Sequence, residues 1–301
     1  MEQASLKRKK FKALVQKGGV MLPGAFNALT AKLIQRAGFK GVYISGAGLN
    51  NGAGYPDIGL LTLTEFAAMA GYIAAATDLP CVCDADTGFG EAVNVSRCVK
   101  EMERAGIAGI HIEDQVFPKR CGHLSGKQLI PVEQMVRKIK TAVLSREDGN
   151  FLIIARTDAR SVENFDKAVE RARAYAAAGA DVIFPEALNS KEEFADFARK
   201  VKTPLLANMT EFGVSPLLSS KELFKLGYKI VIYPMGAFRT MMKATEVFYS
   251  TLLKEGTQAG MLDKMQTRKE LYALLDYDSY SKLDEKAYGD FRGNINKEKS
   301  K

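Results

Sequence analysis

The stretch K119-R-C-G-H-L-S-G-K127 sets a thiol and an imidazole among three cations and two glycines. A lone cysteine is usually buried and inert, and Cys81, Cys83 and Cys98 read that way. Cys121 differs, because Lys119, Arg120, His123 and Lys127 would depress its pKa and make it a competent proton donor or nucleophile. Of the two histidines, His111 falls inside an apolar run and reads as a core residue, which leaves His123 as the functional candidate. A second group is acidic. Asp84 and Asp86, two apart, would share one face of a strand, with Glu113 and Asp114 ending the next. Such acids could simply pair with Arg156 and Arg239, and for any one of them that reading is as good. For the cluster, lacking His or thiolate spacing, a hard cation such as Mg2+ fits better, since it takes one or two carboxylates plus waters and substrate oxygens. Arg156 and Arg239 offer bidentate forks for carboxylates. With the backbone amides of S45-G-A47 they outline a pocket for a small polyanion. The run S45-G-A-G-L-N-N-G-A-G54 has Asn51 where a dinucleotide fingerprint needs its third glycine, so a mobile anion-binding loop is the sounder reading.

These residues need a scaffold that brings them together. A short pattern recurs at A37-G-F-K-G-V42, A105-G-I-A-G-I110, A178-G-A-D-V182 and L226-G-Y-K-I230: a helix stopped by glycine, then a buried strand. Eight short apolar strands follow, near 20–22, 42–45, 81–84, 109–113, 152–156, 182–185, 204–207 and 230–233. Helical patterns lie between them, with Pro131 and Ser161 as two of their starts. The class is α/β, a (β/α)8 TIM-type barrel with a C-terminal helical extension. A doubly wound sheet is the alternative, but its first turn would be glycine-rich, and P23-G-A-F-N27 matches neither GxGxxG nor a Walker loop. The expected division is a basic N-terminal tail or helix over 1–17, the barrel over 18–256, and an extension with a basic tail over 257–301. Chemistry in a barrel belongs at the C-terminal strand ends, which is where Ser45, Asp84, Glu113, Arg156, Glu186 and Asn208 fall.

The chain has 301 residues, 47% hydrophobic and 26% charged, which suits a globular protein. Its net charge of +8 is not spread evenly. Residues 1–17 carry six cations and one acid, residues 291–301 four and one, and the stretch between is formally neutral. Basic tails of this kind are ordinarily solvated, and no aromatic–basic recognition motif accompanies them, so no nucleic-acid partner is expected. The longest apolar run, F66–A76, is too short for a bilayer, so no membrane partner is expected either. No signal-peptide pattern opens the chain, and the four cysteines lack disulfide or CxxC spacing, which points to the cytoplasm.

Taken together, P23-G-A-F-N27, S45-G-A-G48, D84-A-D-T-G-F-G90, H111-I-E-D-Q115, L206-A-N-M-T-E211 and M265-Q-T-R-K-E-L-Y272 resemble the isocitrate lyase and phosphoenolpyruvate mutase superfamily. The K-[KR]-C-G-H loop marks its lyases, and the length and C-terminal segment look most like the methylisocitrate lyase branch. The resemblance implies a modified TIM barrel, Mg2+, and a homotetramer of helix-swapped dimers. It implies retro-aldol cleavage of 2-methylisocitrate, a small polycarboxylate, to pyruvate and succinate in propionate disposal. By position, Asp84 and Asp86 would hold Mg2+, with Asp57 and Glu113 near its water shell. Ser45, Gly46, Ala47, Gly122, Arg156, Glu186, Asn208, Met209, Thr210, Arg239 and Arg268 would bind substrate. Cys121 would protonate the succinate fragment, with His123 beside it and Tyr43 as a candidate base. Phe184, Ile232 and Pro234 would shape a niche for the substrate methyl. The loop departs from that branch at Leu124-Ser125-Gly126, where R-P-N is common, and its G-K ending is closer to isocitrate lyases. Three other readings stay open: a Schiff-base aldolase, another reaction of the superfamily such as oxaloacetate or phosphonopyruvate chemistry, and a non-catalytic binder using its basic tails.

Overall fold

Gly38, Gly106, Gly179 and Gly227 take φ of 89°, 81°, 105° and 105°. This is the left-handed turn that ends a helix and that glycine alone adopts without strain. A strand begins within four residues of each. The computed structural model describes residues 2–298, with side chains through residue 288. Its strands are β1 (Val20–Ala25), β2 (Val42–Ile44), β3 (Cys81–Asp84), β4 (Gly109–Glu113), β5 (Leu152–Thr157), β6 (Val182–Pro185), β7 (Leu206–Asn208) and β8 (Ile230–Tyr233). All neighbours run parallel, in the order β6-β5-β4-β3-β2-β1-β8-β7. A single parallel bridge between Ile183 and Leu205 brings β7 beside β6 and completes a (β/α)8 TIM-type barrel.

Alternation along the strands sorts side chains into two cores. The inner one contains Leu22, Tyr43, Val82, Ile154, Phe184, Leu206, Ile230 and Ile232. The outer one lies under the helices and contains Ile44, Cys83, Ile110, Ile153, Ile183 and Ala207.

Residues 2–17 are not a solvated tail. They form the helix Glu2–Lys17, which drives Phe11 and Val15 into the inner core. Arg8 is buried with them, donating from Nε to the Ile107 carbonyl at 2.9 Å and pairing with Asp148 at 3.3 Å. The apolar spacing of Phe11, Leu14 and Val15 makes one face of a helix, and that face outweighs the lysines, which stay at the surface. Two helix starts also move. Pro131 precedes Val132–Ser145 as its cap. Ser161 lies in a short turn, Ala159–Val162, while Asn164 caps Phe165–Ala177 by accepting from the Lys167 N–H at 2.9 Å. Asn accepts there from a free first-turn donor, whereas Ser161 Oγ is spent on the Asp158 carbonyl.

The chain divides into two compact units, Met1–Met242 and Lys243–Lys301. The helix Gly236–Glu255 runs across that division and buries none of its residues. The second unit continues with a 3-10 turn (Ala259–Lys264) and helices Arg268–Leu275 and Tyr277–Glu298. Thr267 and Glu270 form a capping box at the first of these helices, and Tyr272 stacks on Tyr277 at 4.7 Å. Residues 299–301 of the expected basic tail lie outside the described residues. Among the described residues, no helix is long and apolar enough to cross a membrane.

Candidate active site

Every strand except β1 sends a residue, from its C-terminal end or the loop after it, into one cavity of about 310 Å³. That volume suits a small metabolite.

Asp84 closes β3, but Asp86 lies beyond the strand in a left-handed turn (φ 43°), and its N–H donates to Asp84 Oδ1 at 3.0 Å. The two carboxylates meet through a turn rather than through strand alternation, which corrects the sequence reading. The turn is what allows neighbouring acids to face one site. Lys119 reaches across to pair with Asp57 and with Asp86, the latter at 2.9 Å. Burial pushes Asp84 up, raises Asp86 to about 6, and carries Glu113 well above the usual carboxylate range, against the pull of Lys119 and Arg156. Both Glu113 oxygens are buried without a hydrogen bond, the Arg156 Nη1 contact at 3.2 Å being an ion pair only. Carboxylates starved of donors in this way are what a hard divalent cation and its water shell satisfy. Among the described residues, no three His, Cys, Asp or Glu side chains are already disposed around one metal ion. The set therefore fits an ion held by one or two carboxylates, the usual manner of Mg2+.

The cations of the opening loop are taken up by partners other than the thiol. Lys119 serves Asp57 and Asp86, Lys127 serves Asp158 at 3.3 Å and the Gly122 carbonyl, and Arg120 serves the Ser125 carbonyl at 3.3 Å. Burial then dominates at Cys121 and pushes its thiol up, opposite to the expected depression. Cys121 is thus a protonated thiol, equipped to give a proton. His123 accepts from the Val214 N–H at Nδ1 (3.1 Å), so its proton sits on Nε2, 3.2 Å from Glu186 Oε1. Burial disfavours a charged Glu186, but Arg156, His123 and Asn208 prevail and hold it at about 2. Arg156 forks onto Asp158 at 3.0 and 3.1 Å and also meets Glu186 at 3.4 Å. Gly122 crosses directly over this pair, and any Cβ there would collide with both side chains.

Tyr43 and His111 stack 5.8 Å apart, with the phenol oxygen 2.7 Å from Nε2. Burial, then Asp84, raises Tyr43 well above its ordinary value, while burial and Arg156 hold His111 at about 3. His111 is therefore a neutral residue in the layer beneath the cavity, where its Nδ1 lies 3.6 Å from Asp84 Oδ1. Reading it as core is right about burial and misses its partners.

The S45–G54 run is no mobile loop. It forms the helix Gly46–Gly52, with Ser45 as cap accepting from the Gly48 N–H at 3.2 Å. Ser45 and Ala47 line the cavity, as do Phe184, Asn208, Thr210, Pro234 and Arg239. Gly46 sits against Asp84, at the edge of the same wall. Met209 points the other way, into the outer core, because it alternates with Asn208 and Thr210. Ile232 lies within the inner core below the cavity, so of the three expected niche residues Phe184 and Pro234 reach it. Arg268 opens a helix of the second unit. Nothing in the spacing of Lys119 marks it as counter-ion of the acids, since Asp57 lies sixty-two positions earlier. Glu211 likewise lies on the cavity wall beside Arg239 with no spacing that marks it.

A parallel eight-stranded barrel with acids, guanidinium groups and a protonated thiol at one mouth defines a barrel enzyme for small carboxylates. The phosphoenolpyruvate phosphomutase family model matches residues 11–253. This chain belongs to that family, in the isocitrate lyase and phosphoenolpyruvate mutase superfamily. It is 54% identical over 265 residues to 2-methylisocitrate lyase of Aeropyrum pernix, covering 88% of this chain and 85% of the relative. It is 46% identical over 275 residues to 2-methylisocitrate lyase of Escherichia coli, covering 90% and 93%. A solved 2,3-dimethylmalate lyase superposes with a TM-score of 0.88 at 34% identity, over 95% of each chain. Phosphonopyruvate hydrolase in complex with oxalate and Mg2+ gives a TM-score of 0.85 at 30% identity, over 94% of this chain and 99% of that one.

Proposed function

We propose that this chain is a Mg2+-dependent 2-methylisocitrate lyase, releasing pyruvate and succinate at the last step of the methylcitrate cycle. The observation that carries the reading is a thiol kept protonated by burial, in one cavity with carboxylates and arginines suited to a polycarboxylate. Relatives named 2-methylisocitrate lyase, at 44% to 54% identity, support the same substrate.

In the proposed reaction the C2 hydroxyl gives up its proton, the C2–C3 bond breaks, and C2 becomes the carbonyl of pyruvate. The electron pair stays on C3, where the adjoining carboxylate delocalises it. Cys121 then donates its proton to C3, which completes succinate, and the thiolate is reprotonated from the base by way of solvent. Tyr43 is the candidate base: burial and Asp84 oppose its phenolate, and Arg156 favours it. Asp84 and Asp86 would hold Mg2+, with Asp57 and Glu113 near its water shell. When bound, the ion supplies positive charge to the oxygens that become negative as the bond breaks. Ser45, Gly46, Ala47, Gly122, Asn208, Thr210 and Arg239 take the role of binding the carboxylates, and Met209 has no such role, since its side chain lies in the outer core and its N–H donates to the Ile232 carbonyl at 2.9 Å. His123 and Glu186 fix the loop that carries the thiol, and Arg156 neutralises charge beside it.

The exposed apolar side chains of Gly236–Glu255, including Met242, Val247, Leu252 and Leu253, support packing against another copy in a homotetramer. The four free cysteines support a cytoplasmic setting. The test is product analysis by mass spectrometry with 2-methylisocitrate and with isocitrate, on a sample sized by light scattering. Pyruvate and succinate from a tetramer are expected, with turnover abolished by EDTA and restored by Mg2+. Glyoxylate formed faster than pyruvate would mean that Leu124-Ser125-Gly126 is the better guide and that isocitrate is the substrate. Full turnover in EDTA would reject the metal and favour a Schiff base.

A further inference from the structure

The cavity's two arginines are held very differently. Arg156 is buried and locked by Asp158, Glu113 and Glu186. Arg239 has a side chain 53% exposed, and its Nε meets Glu211 Oε1 at 2.6 Å. Glu211 has no part in the chemistry above, yet it lines the same cavity. We propose that Glu211 is an internal stand-in carboxylate, which holds Arg239 until a substrate carboxylate displaces it. The proposal rests on reading Arg239 as a carboxylate-binding residue.

The residues after Glu211 give the displacement a consequence. Phe212 adopts a left-handed φ of 59°, is 91% exposed as a residue, and has the Arg239 guanidinium 5.7 Å from its ring. A Cβ on Gly213 would lie 2.7 Å from His123 Nδ1, so glycine lets the backbone come flush against the imidazole. Val214 then donates to that same nitrogen at 3.1 Å. Residues 211–214 therefore form a strap from Arg239 to His123, two positions from Cys121. A carboxylate that takes Arg239 from Glu211 frees one end of this strap while the other stays on the thiol loop. Glu211 is thus a positioning residue, and its exchange links substrate recognition to the loop that carries the proton donor.

The test is calorimetric titration of succinate and of pyruvate, separately, into the Mg2+-loaded enzyme. Arg239→Gln should weaken one of the two products. Glu211→Gln should tighten that same product by about two- to fivefold, the worth of an ion pair with an exposed partner, and leave the other product unchanged. In the Arg239→Gln background, Glu211→Gln should have no effect. Tightening of both products alike, or tightening that persists without Arg239, would reduce Glu211 to a general negative charge and overturn the proposal. If Arg239→Gln weakens binding while Glu211→Gln does not tighten it, the stand-in role alone falls. If Arg239→Gln changes neither product, the carboxylate-binding role of Arg239 falls and takes this inference with it. Glu211→Ala, expected to behave alike, keeps the test open should the glutamine variant fail to fold.

Discussion

At the N-terminal end of the strands Arg8 and Glu103 are buried together, and Arg8 is well supplied with acceptors: the carbonyls of Ile107 and Glu103 and the Asp148 carboxylate. Glu103 in turn accepts from the backbone N–H groups of Glu147 and Asp148, at 2.9 and 3.0 Å. Phe11 and Val15 fill the space between. The C-terminal end buries far more charge and satisfies less of it. Both Glu113 oxygens and His111 Nδ1 lack hydrogen bonds, and burial pushes Asp84, Asp86 and Glu113 toward their neutral forms. One end is completed by the chain itself, and the other keeps buried polar atoms for which the chain supplies no partner, as the proposed ion and substrate would require. Stability is thus placed at one end of this fold and chemistry at the other.

The sharpest way to probe the contrast is at the mouth. Cys121→Ser should lower kcat by roughly 10²–10⁴-fold, the loss typical of a general acid, with KM changed far less. Because burial raises the thiol, wild-type kcat should hold through the ordinary thiol range near about 8.5 and fall only above it. A serine variant with wild-type kcat would remove Cys121 from the mechanism.

The opposite end should respond in the opposite currency. Phe11→Ala empties a fully buried site and should cost about 3–5 kcal/mol in chemical denaturation, while kcat of the folded protein stays unchanged. A large drop in kcat with unaltered stability would show that the two ends are not separate.

The smallest effect concerns specificity. Phe184 lines the cavity, carries Arg156 over its ring at 5.2 Å and meets His111 edge-on at 5.3 Å. One buried methyl is worth about 1–3 kcal/mol, so 2-methylisocitrate should exceed isocitrate in kcat/KM by at least about tenfold. Phe184→Trp should narrow that ratio by taking the methyl's space. Equal losses for both substrates would mean that the ring only packs the barrel.

The residues also differ in how readily they could be read in advance. Strand positions 109–113, 182–185 and 230–233 follow from local apolar runs and from the glycines that precede them, and 81–84 from its apolar run alone, because burial and backbone φ act over a few neighbours. Types and order likewise mark Cys121, Asp84, Asp86, Arg156 and Glu186 as a set belonging to one barrel mouth. What spacing could not supply is pairing. The loop cations look in sequence like partners of the thiol, but in the fold Lys119 turns to Asp57 and Asp86 and Lys127 to Asp158. The sign of the Cys121 shift reverses as a result. The N-terminal lysines dominate the composition of residues 1–17, yet an apolar stripe decides that they cap the barrel.

Residue types and the strand–helix period are local properties, and they set which chemistry this chain can carry. Which protons are held and which charges are matched is fixed only in the closed barrel. Desolvation and Coulomb forces depend on distances between residues far apart in the chain, and those distances exist only once the barrel has closed.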